Sequence, residues 1–573
     1  MRKQKKIILG SLLSSAVMMC ATAASASFMT SCNVLQQKSV PTCEFTQTAE
    51  VKLPEIGLTG LAVDQGFLTA GKGNSDHILL RINLERNLEK EALPLTGVKF
   101  NLQGTTNLND ISALRVYATQ DPYLNGDKKA FARLLAETTD KALITASGDI
   151  SMAFNSEYIP LGRRGYLWVT ADIAKEAVPG NSIDASLICV GGENGAFYNV
   201  PEGNPKGMAC IYEKQTMLFS PWDNGSEFYR IPAMLTLENE SHGKKGRILT
   251  VTDRRFRYNS DLPNNIDLVA KHSDDNGSTW TKGITIAGLY ADSINNQGPD
   301  YGYGDAALVE TNSGKVICMM AADRQFQPST YEEENRIKMY VASSADGGDT
   351  WQKPHEISNF IYDAVYNGAP SKLQGVFVTS GKGLCLKNQK DSSLNGRILF
   401  VMVCKFTSGL YQNYIVYSDD EGATWKVSDT KAYDGGDEAK LVEESDGTVI
   451  MSTRRSGERG FSSSRDGGNT WENPYMQKEL WGNSCNADML VYSDDLYIHT
   501  MPNAADRRNL TIYASKDKGK TWPYKFVINE LPAAYSTLVK CADGKIGVYY
   551  EDGTMSDHYS MNFLTIPVEW IVK

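Results

Sequence analysis

The chain has 573 residues, 41% hydrophobic and 10% aromatic, with 49 glycines and a net charge of −10. That length allows two to four domains, or one large repeat domain with an appendage. The glycine content favours tight turns over long helices, and the acidic balance argues against nucleic acid as a main partner.

The chain opens on basic MRKQKK, runs through apolar IILGSLLSSAVMMCATA and reaches the small residues Ala24-Ser25-Ala26. This is the pattern of a signal peptide, so residues 1–26 are predicted to be removed and the mature protein exported to the periplasm, the outer-membrane surface or the medium. MTSC at Met29–Cys32 is a rival processing site, with lipid attached to Cys32. No later stretch is apolar for long enough to span a bilayer. The ten cysteines include no CxxC pair, so they read as isolated thiols with at most one bridge rather than a zinc site or a disulfide framework.

Residues 27–208 hold strand-like runs such as DHILLRINLE, ISALRVYAT and GYLWVTADI between polar turns. They predict an N-terminal β-sandwich, carbohydrate-binding by fold analogy alone. A short helix is expected around Ala130–Ala136, and GGENGAFYNVPEGNPKG reads as a linker.

From 211 to 573 the chain repeats an octet: SDDNGSTW, SADGGDTW, SDDEGATW, SRDGGNTW and SKDKGKTW, ending at Trp280, Trp351, Trp425, Trp471 and Trp522. The nearest neighbours are about 50 residues apart, the length of one four-stranded propeller blade; wider gaps of about 70 leave room for loop insertions. Alternating runs such as IDLVAKHS and IKMYVASS precede the octets as strands. The octet itself reads as a hairpin turn: Ser and Asp side chains bond turn amides, Gly takes φ > 0, and Trp packs beneath. Its chemistry is structural. The expectation is an all-β protein whose six-bladed β-propeller has five blades with the octet and one without.

At Phe228 the chain reads FYRIPAM. The octets together with this R-I-P segment resemble the sialidase (neuraminidase) family, especially bacterial exo-α-sialidases, over about Ile211–Lys573. The resemblance implies hydrolysis of terminal α-linked sialic acids from glycoproteins, gangliosides and mucins by a monomer, with no metal or organic cofactor. It also implies three arginines around the substrate carboxylate, a task suited to the planar, permanently charged guanidinium fork. Arg230 matches the first. Arg454 in MSTRR matches the second, with Arg455 facing the other side of its strand. Arg507 in PNAADRRNLTIYAS matches the third, with Arg508 as the fallback.

In TVTDRRFRYNSDLPNNIDLVAK the family pattern points to Asp261 as acid/base, on a loop one residue longer than a common version; Asp267 competes from within a strand. Arg255 and Asp305 match substrate-contacting positions. Tyr535 in AAYSTLVK matches the nucleophile and Glu438 in GGDEAKL its base. Sialidases use tyrosine because the attacked carbon bears a carboxylate that would repel an anionic nucleophile. A phenol with pKa near 10 needs a base beside it. Glu551 in VYYEDG matches the acid that orients the first arginine. HExxH, GxSxG and phosphate-loop motifs are absent, and the six histidines form no ligand cluster. A trans-sialidase and a non-catalytic sialic-acid-binding propeller stand as alternatives.

Overall fold

Between Ala49 and Asn199 two five-stranded sheets face each other. One runs in the order Ala49–Glu50, Ala196–Asn199, Ser186–Gly192, Leu95–Asn101, Ile150–Tyr158; the other runs Leu58–Gln65, His77–Arg86, Arg164–Ile173, Ile111–Thr119, Arg133–Thr138. Alternation along the strands turns Leu80, Ile82, Val98, Phe100, Val116, Leu167 and Val169 into the space between, where all are buried. This is the expected β-sandwich. The structure is a computed structural model describing residues 47–146, 148–200, 203–288, 302–326, 335–366, 373–556 and 558–573. The signal-peptide and Cys32 readings lie outside these residues.

Two local expectations need correction. The Ala130–Ala136 region is a 3-10 turn, Gly126–Phe131, followed by the strand Arg133–Thr138, because Leu135 and Ala136 bury against the sheet. Much of the expected linker is a hairpin: Val190 pairs with Tyr198 across a turn in which Asn194 and Gly195 take positive φ. The Gly and Asn residues there serve a tight turn rather than a flexible connection.

The rest of the described chain forms five sheets of four to seven strands, which resolve into six blades, each with a four-stranded antiparallel core, the seven-stranded sheet supplying two of them. The innermost strands of the first four blades are Phe228–Thr236, Tyr303–Glu310, Leu373–Val378 and Ala439–Glu443. The fifth begins with Asp488–Ser493. Its outer strand is the first part of the 17-residue strand Tyr524–Lys540, whose second part is the innermost strand of blade six. Innermost strands of neighbouring blades lie beside one another, except that Ala439–Glu443 meets blade three through Gly381–Lys382 and Ile398–Phe406, and the last contacts the first, closing the ring. This is the six-bladed propeller. Blade six takes its fourth strand, Gln215–Phe219, from the start of the propeller segment, paired with Ser560–Ile566.

Each octet lies between the third and fourth strands of blades one to five. In the first, the Ser273 hydroxyl donates to Asp275 at 2.7 Å and accepts from the Gly277 amide at 2.8 Å. Asp275 accepts from the Thr279 amide and hydroxyl at 2.8 and 2.7 Å. The other four repeat this pattern. In blade six the chain crosses no such turn, because its third and fourth strands come from opposite ends of the propeller segment. That connectivity explains why one blade lacks the octet.

Candidate active site

Five innermost strands show register shifts, and three of these fall beside the residues that line the cavity. The register breaks between Arg230 and Ala233, between Gly304 and Ala307, and between Ala533 and Ser536. Bulges re-aim side chains and are enriched beside active sites. These three present Arg230, Asp305 and Tyr535. In the first, Ile231 has φ 62°, an uncommon conformation for a β-branched residue. The Ile231 amide is held at 2.8 Å by Glu551, and Pro232 brings no amide that the broken ladder would leave unpaired.

Glu551 is the fixed point of this corner. Its side chain is fully buried. One oxygen accepts from Arg230 Nε at 3.0 Å, and the other from Arg230 Nη2 at 3.2 Å and the Tyr535 amide at 3.0 Å. It therefore locks the first arginine and the tyrosine backbone to one carboxylate. The guanidiniums of Arg230 and Arg507 stand 5.1 and 5.3 Å from the centre of the Tyr535 ring.

Arg454 closes the other side. Its Nη1 donates to Glu438 Oε2 at 2.6 Å and to the Tyr535 hydroxyl at 2.9 Å, while Nε bonds Ser484 at 3.0 Å. The expected glutamate–tyrosine pair is thus assembled around one guanidinium nitrogen. Burial, reinforced by the Glu438 charge, pushes the Tyr535 phenol well above its ordinary value against the opposing pull of Arg454 and Arg230. The hydroxyl is therefore neutral at physiological pH.

Asp261 stands exposed at the cavity mouth and accepts from Arg255 Nη1 at 2.9 Å. Arg255 also grips Asp253 through Nη2 at 2.9 Å. Loss of water around Asp261 opposes ionisation, but Arg255, Arg230 and Arg507 outweigh it and hold the carboxyl below the usual range. Asp305 goes the opposite way: burial, with Asp253, Asp261 and Glu438 nearby, pushes it well up. One carboxyl is pulled towards the anion and its neighbour pushed towards the neutral acid, set by environment alone.

Asp261, Asp305, Glu438, Arg454 and Tyr535 line one cavity of about 220 Å³. Arg230, Arg507, Arg255 and Glu551 join it through the contacts above. The competing assignments lie elsewhere. Asp267 is buried against Arg254 at 3.1 Å, Arg508 pairs with Asp506, and Arg455 turns to the carbonyls of Asp434 and Gly435. Sequence reasoning missed the apolar wall of Leu262, Phe326, Ile337 and Phe377, and also Asp437 beside Arg454. It missed Tyr559 too, whose ring lies 5.3 Å from Arg230. None of these sits in a repeated or spaced motif.

The BNR repeat-like domain family matches residues 273–548. The sialidase of Micromonospora viridifaciens is 28% identical over 370 residues, covering 61% of this chain but 54% of that protein, so the chain spans little more than half of this relative. The sialidase of Bacteroides fragilis (strain YCH46) is 25% identical over 551 residues, covering 87% of this chain and 93% of that one. Among solved structures, Hadza microbial sialidase Hz136 superposes with a TM-score of 0.63 at 21% identity, covering 89% of this chain and all of that one. Fold and site together define a six-bladed propeller with octet turns and a cavity rich in arginine and carboxylate groups. Over most of its length the chain is similar to bacterial sialidases.

Proposed function

We propose that the protein is an exo-α-sialidase that releases terminal sialic acid from glycans with retention, through a sialyl-tyrosine intermediate. The observation that carries this reading is the convergence on Tyr535: Arg454 Nη1 bonds both its hydroxyl and Glu438, while Arg230 and Arg507 flank its ring. In this reading the three guanidiniums hold the substrate carboxylate beside the anomeric carbon. The Tyr535 oxygen bonds that carbon as the phenolic proton passes to Glu438. The bond to the glycan oxygen breaks, and that oxygen takes a proton from Asp261. Water, deprotonated by Asp261, then attacks the same carbon, and Tyr535 leaves with its proton restored from Glu438.

Asp261 is held ionised in the free enzyme by Arg255 first, then by Arg230 and Arg507, the two that the substrate carboxylate would also occupy. Binding that anion offsets the pull of Arg230 and Arg507 and shifts Asp261 towards the protonated form it needs as the acid. The apolar leader at the N-terminus supports export as the setting, where sialylated glycans are met. No helix among the described residues is long and apolar enough to cross a membrane.

The test is release of 4-methylumbelliferone from its α-sialoside, with the first-formed anomer followed by NMR. The α-anomer as initial product supports retention, and the β-anomer refutes it. Lactose added as acceptor separates hydrolysis from transfer: free sialic acid as the main product supports the hydrolase, sialyllactose the trans-sialidase.

A further inference from the structure

Two residues after Glu438 the same segment carries a buried lysine that the catalytic reading leaves unused. Glu438 and Lys440 are two residues apart at the start of an innermost strand and point the same way. Lys440 is 1% exposed. An ammonium taken out of water is costly unless paired. Asp488 of blade five is engaged with other groups: it takes Lys382 at 3.1 Å, the Thr537 hydroxyl at 2.8 Å, and the Leu538 and Met489 amides at 2.7 Å. The Lys440 ammonium donates instead to a neutral group, Asn486 Oδ1, at 2.8 Å.

That contact fixes the direction of every hydrogen bond beyond it. An ammonium has donors only, so the atom facing it must be the amide oxygen; the Ala487 amide, donating to the same oxygen at 2.9 Å, agrees. Asn486 Nδ2 must then donate, and it does so to Ser380 Oγ at 2.8 Å. With its lone pair engaged, the Ser380 hydroxyl donates onward to Glu438 Oε1 at 3.4 Å, the long link of the chain. The other oxygen of Glu438 is the one bonded to Arg454. Space for the lysine is kept by Gly381, where a Cβ would lie 2.6 Å from Lys440 Cε.

We propose that Lys440, Asn486 and Ser380 are positioning residues: a one-directional hydrogen-bond chain that fixes the rotamer of Glu438 and presents only donors to it, keeping it an acceptor for the Tyr535 proton. The chain joins blades three, four and five, so it sets Glu438 against the ring rather than against its own strand. Burial lowers Lys440 to about 8, with Asp488 and Glu438 opposing, so the lysine is charged at neutral pH.

This rests on the sialidase reading. The test compares wild type, Ser380→Ala, Lys440→Met and the double variant on 4-methylumbelliferyl sialoside, with the inhibition constant for free sialic acid and Tm measured on each. The expected result is a kcat about tenfold lower in each single variant, the inhibition constant within about twofold of wild type, and a double variant no slower than the slower single. Ser380→Ala at wild-type kcat overturns the proposal. So do losses in kcat and sialic acid affinity that move together with Tm, and so do fully multiplicative losses in the double variant. Should Lys440→Met fail to fold, Ser380→Ala decides alone. A wild type that releases no fluorophore sinks the sialidase reading and this proposal with it, an outcome distinct from active wild type with indifferent variants.

Discussion

In the proposed reaction Tyr535 approaches a carboxylate-bearing carbon as a neutral phenol, because burial and the Glu438 charge keep its proton on. Tyr535→Phe keeps the ring that Arg230 and Arg507 approach and removes the hydroxyl that acts as nucleophile in the proposed reaction. Turnover is expected to fall by roughly two orders of magnitude or more, while calorimetric affinity for sialic acid stays within about twofold; unimpaired turnover would refute the nucleophile assignment. Glu551→Ala strands a guanidinium and two backbone amides at once. Breaking a buried pair costs on the order of 3–5 kcal/mol, so the urea midpoint should drop and KM rise together. Asp261 titrates below the usual carboxylate range in the free enzyme. The falling alkaline limb of kcat, set by the complex, should therefore lie at higher pH than that of kcat/KM; coincident limbs would remove Asp261 as the acid. At this scale the sequence was legible where a residue sits in a motif of its own. Arg230 came from R-I-P, and Tyr535 from its place after the last octet. The bridging role of Arg454 was not legible, since it depends on Nη1 meeting side chains from blades four and six. Lys440 was invisible because AKLVEE reads as an ordinary polar alternation.

The octets are the most legible elements of the chain, and their physics is local: the same side-chain-to-turn bonds recur wherever Ser, Asp, Gly and Thr recur. In four of the five, the indole also donates to the glycine carbonyl, at 2.9–3.2 Å. Hydrogen bonds from the Thr amide and hydroxyl and from the Ser hydroxyl push Asp346, Asp420 and Asp517 down to about 2. In the unfolded chain an aspartate titrates near 3.9. A folded-state value below the unfolded one gives stability that is fully present above about pH 4 and is lost as pH falls towards 2. The urea midpoint should therefore decline over that window. It should decline less in an Asp346→Asn variant that starts from a lower midpoint; an equal decline would exclude the turns as the cause. The bulges at Arg230, Asp305 and Tyr535 could not be read from the sequence. A one-residue break in register is decided by the partner strand, and Ile-Pro alone does not say which residue is left over.

At the scale of the whole molecule, repeats gave the number of blades but not how the ring shuts. Sheet closure depends on Gln215–Phe219 pairing with Ser560–Ile566, and nothing in QTMLF marks it as the missing strand of a distant blade. Its partner lies too far away in sequence for any local pattern to show. Removing the residues before Pro221 should leave an exposed edge along Ser560–Ile566, an aggregation-prone surface. The shortened protein should run as high-mass species on size exclusion and lose activity; a monomer of wild-type activity would show that the fourth strand is dispensable.

The same closure fixes an order of events in time. Gln215 meets Leu564, and Arg230 meets Glu551, across most of the length of the ring. A chain emerging from the ribosome carries its first arginine long before the carboxylate that orients it. Contacts of such separation form late and slowly. Synthesis and assembly of the site are thus separated by construction: until Glu551 and Ser560–Ile566 are made, Arg230 lacks its orienting carboxylate and the ring stays open.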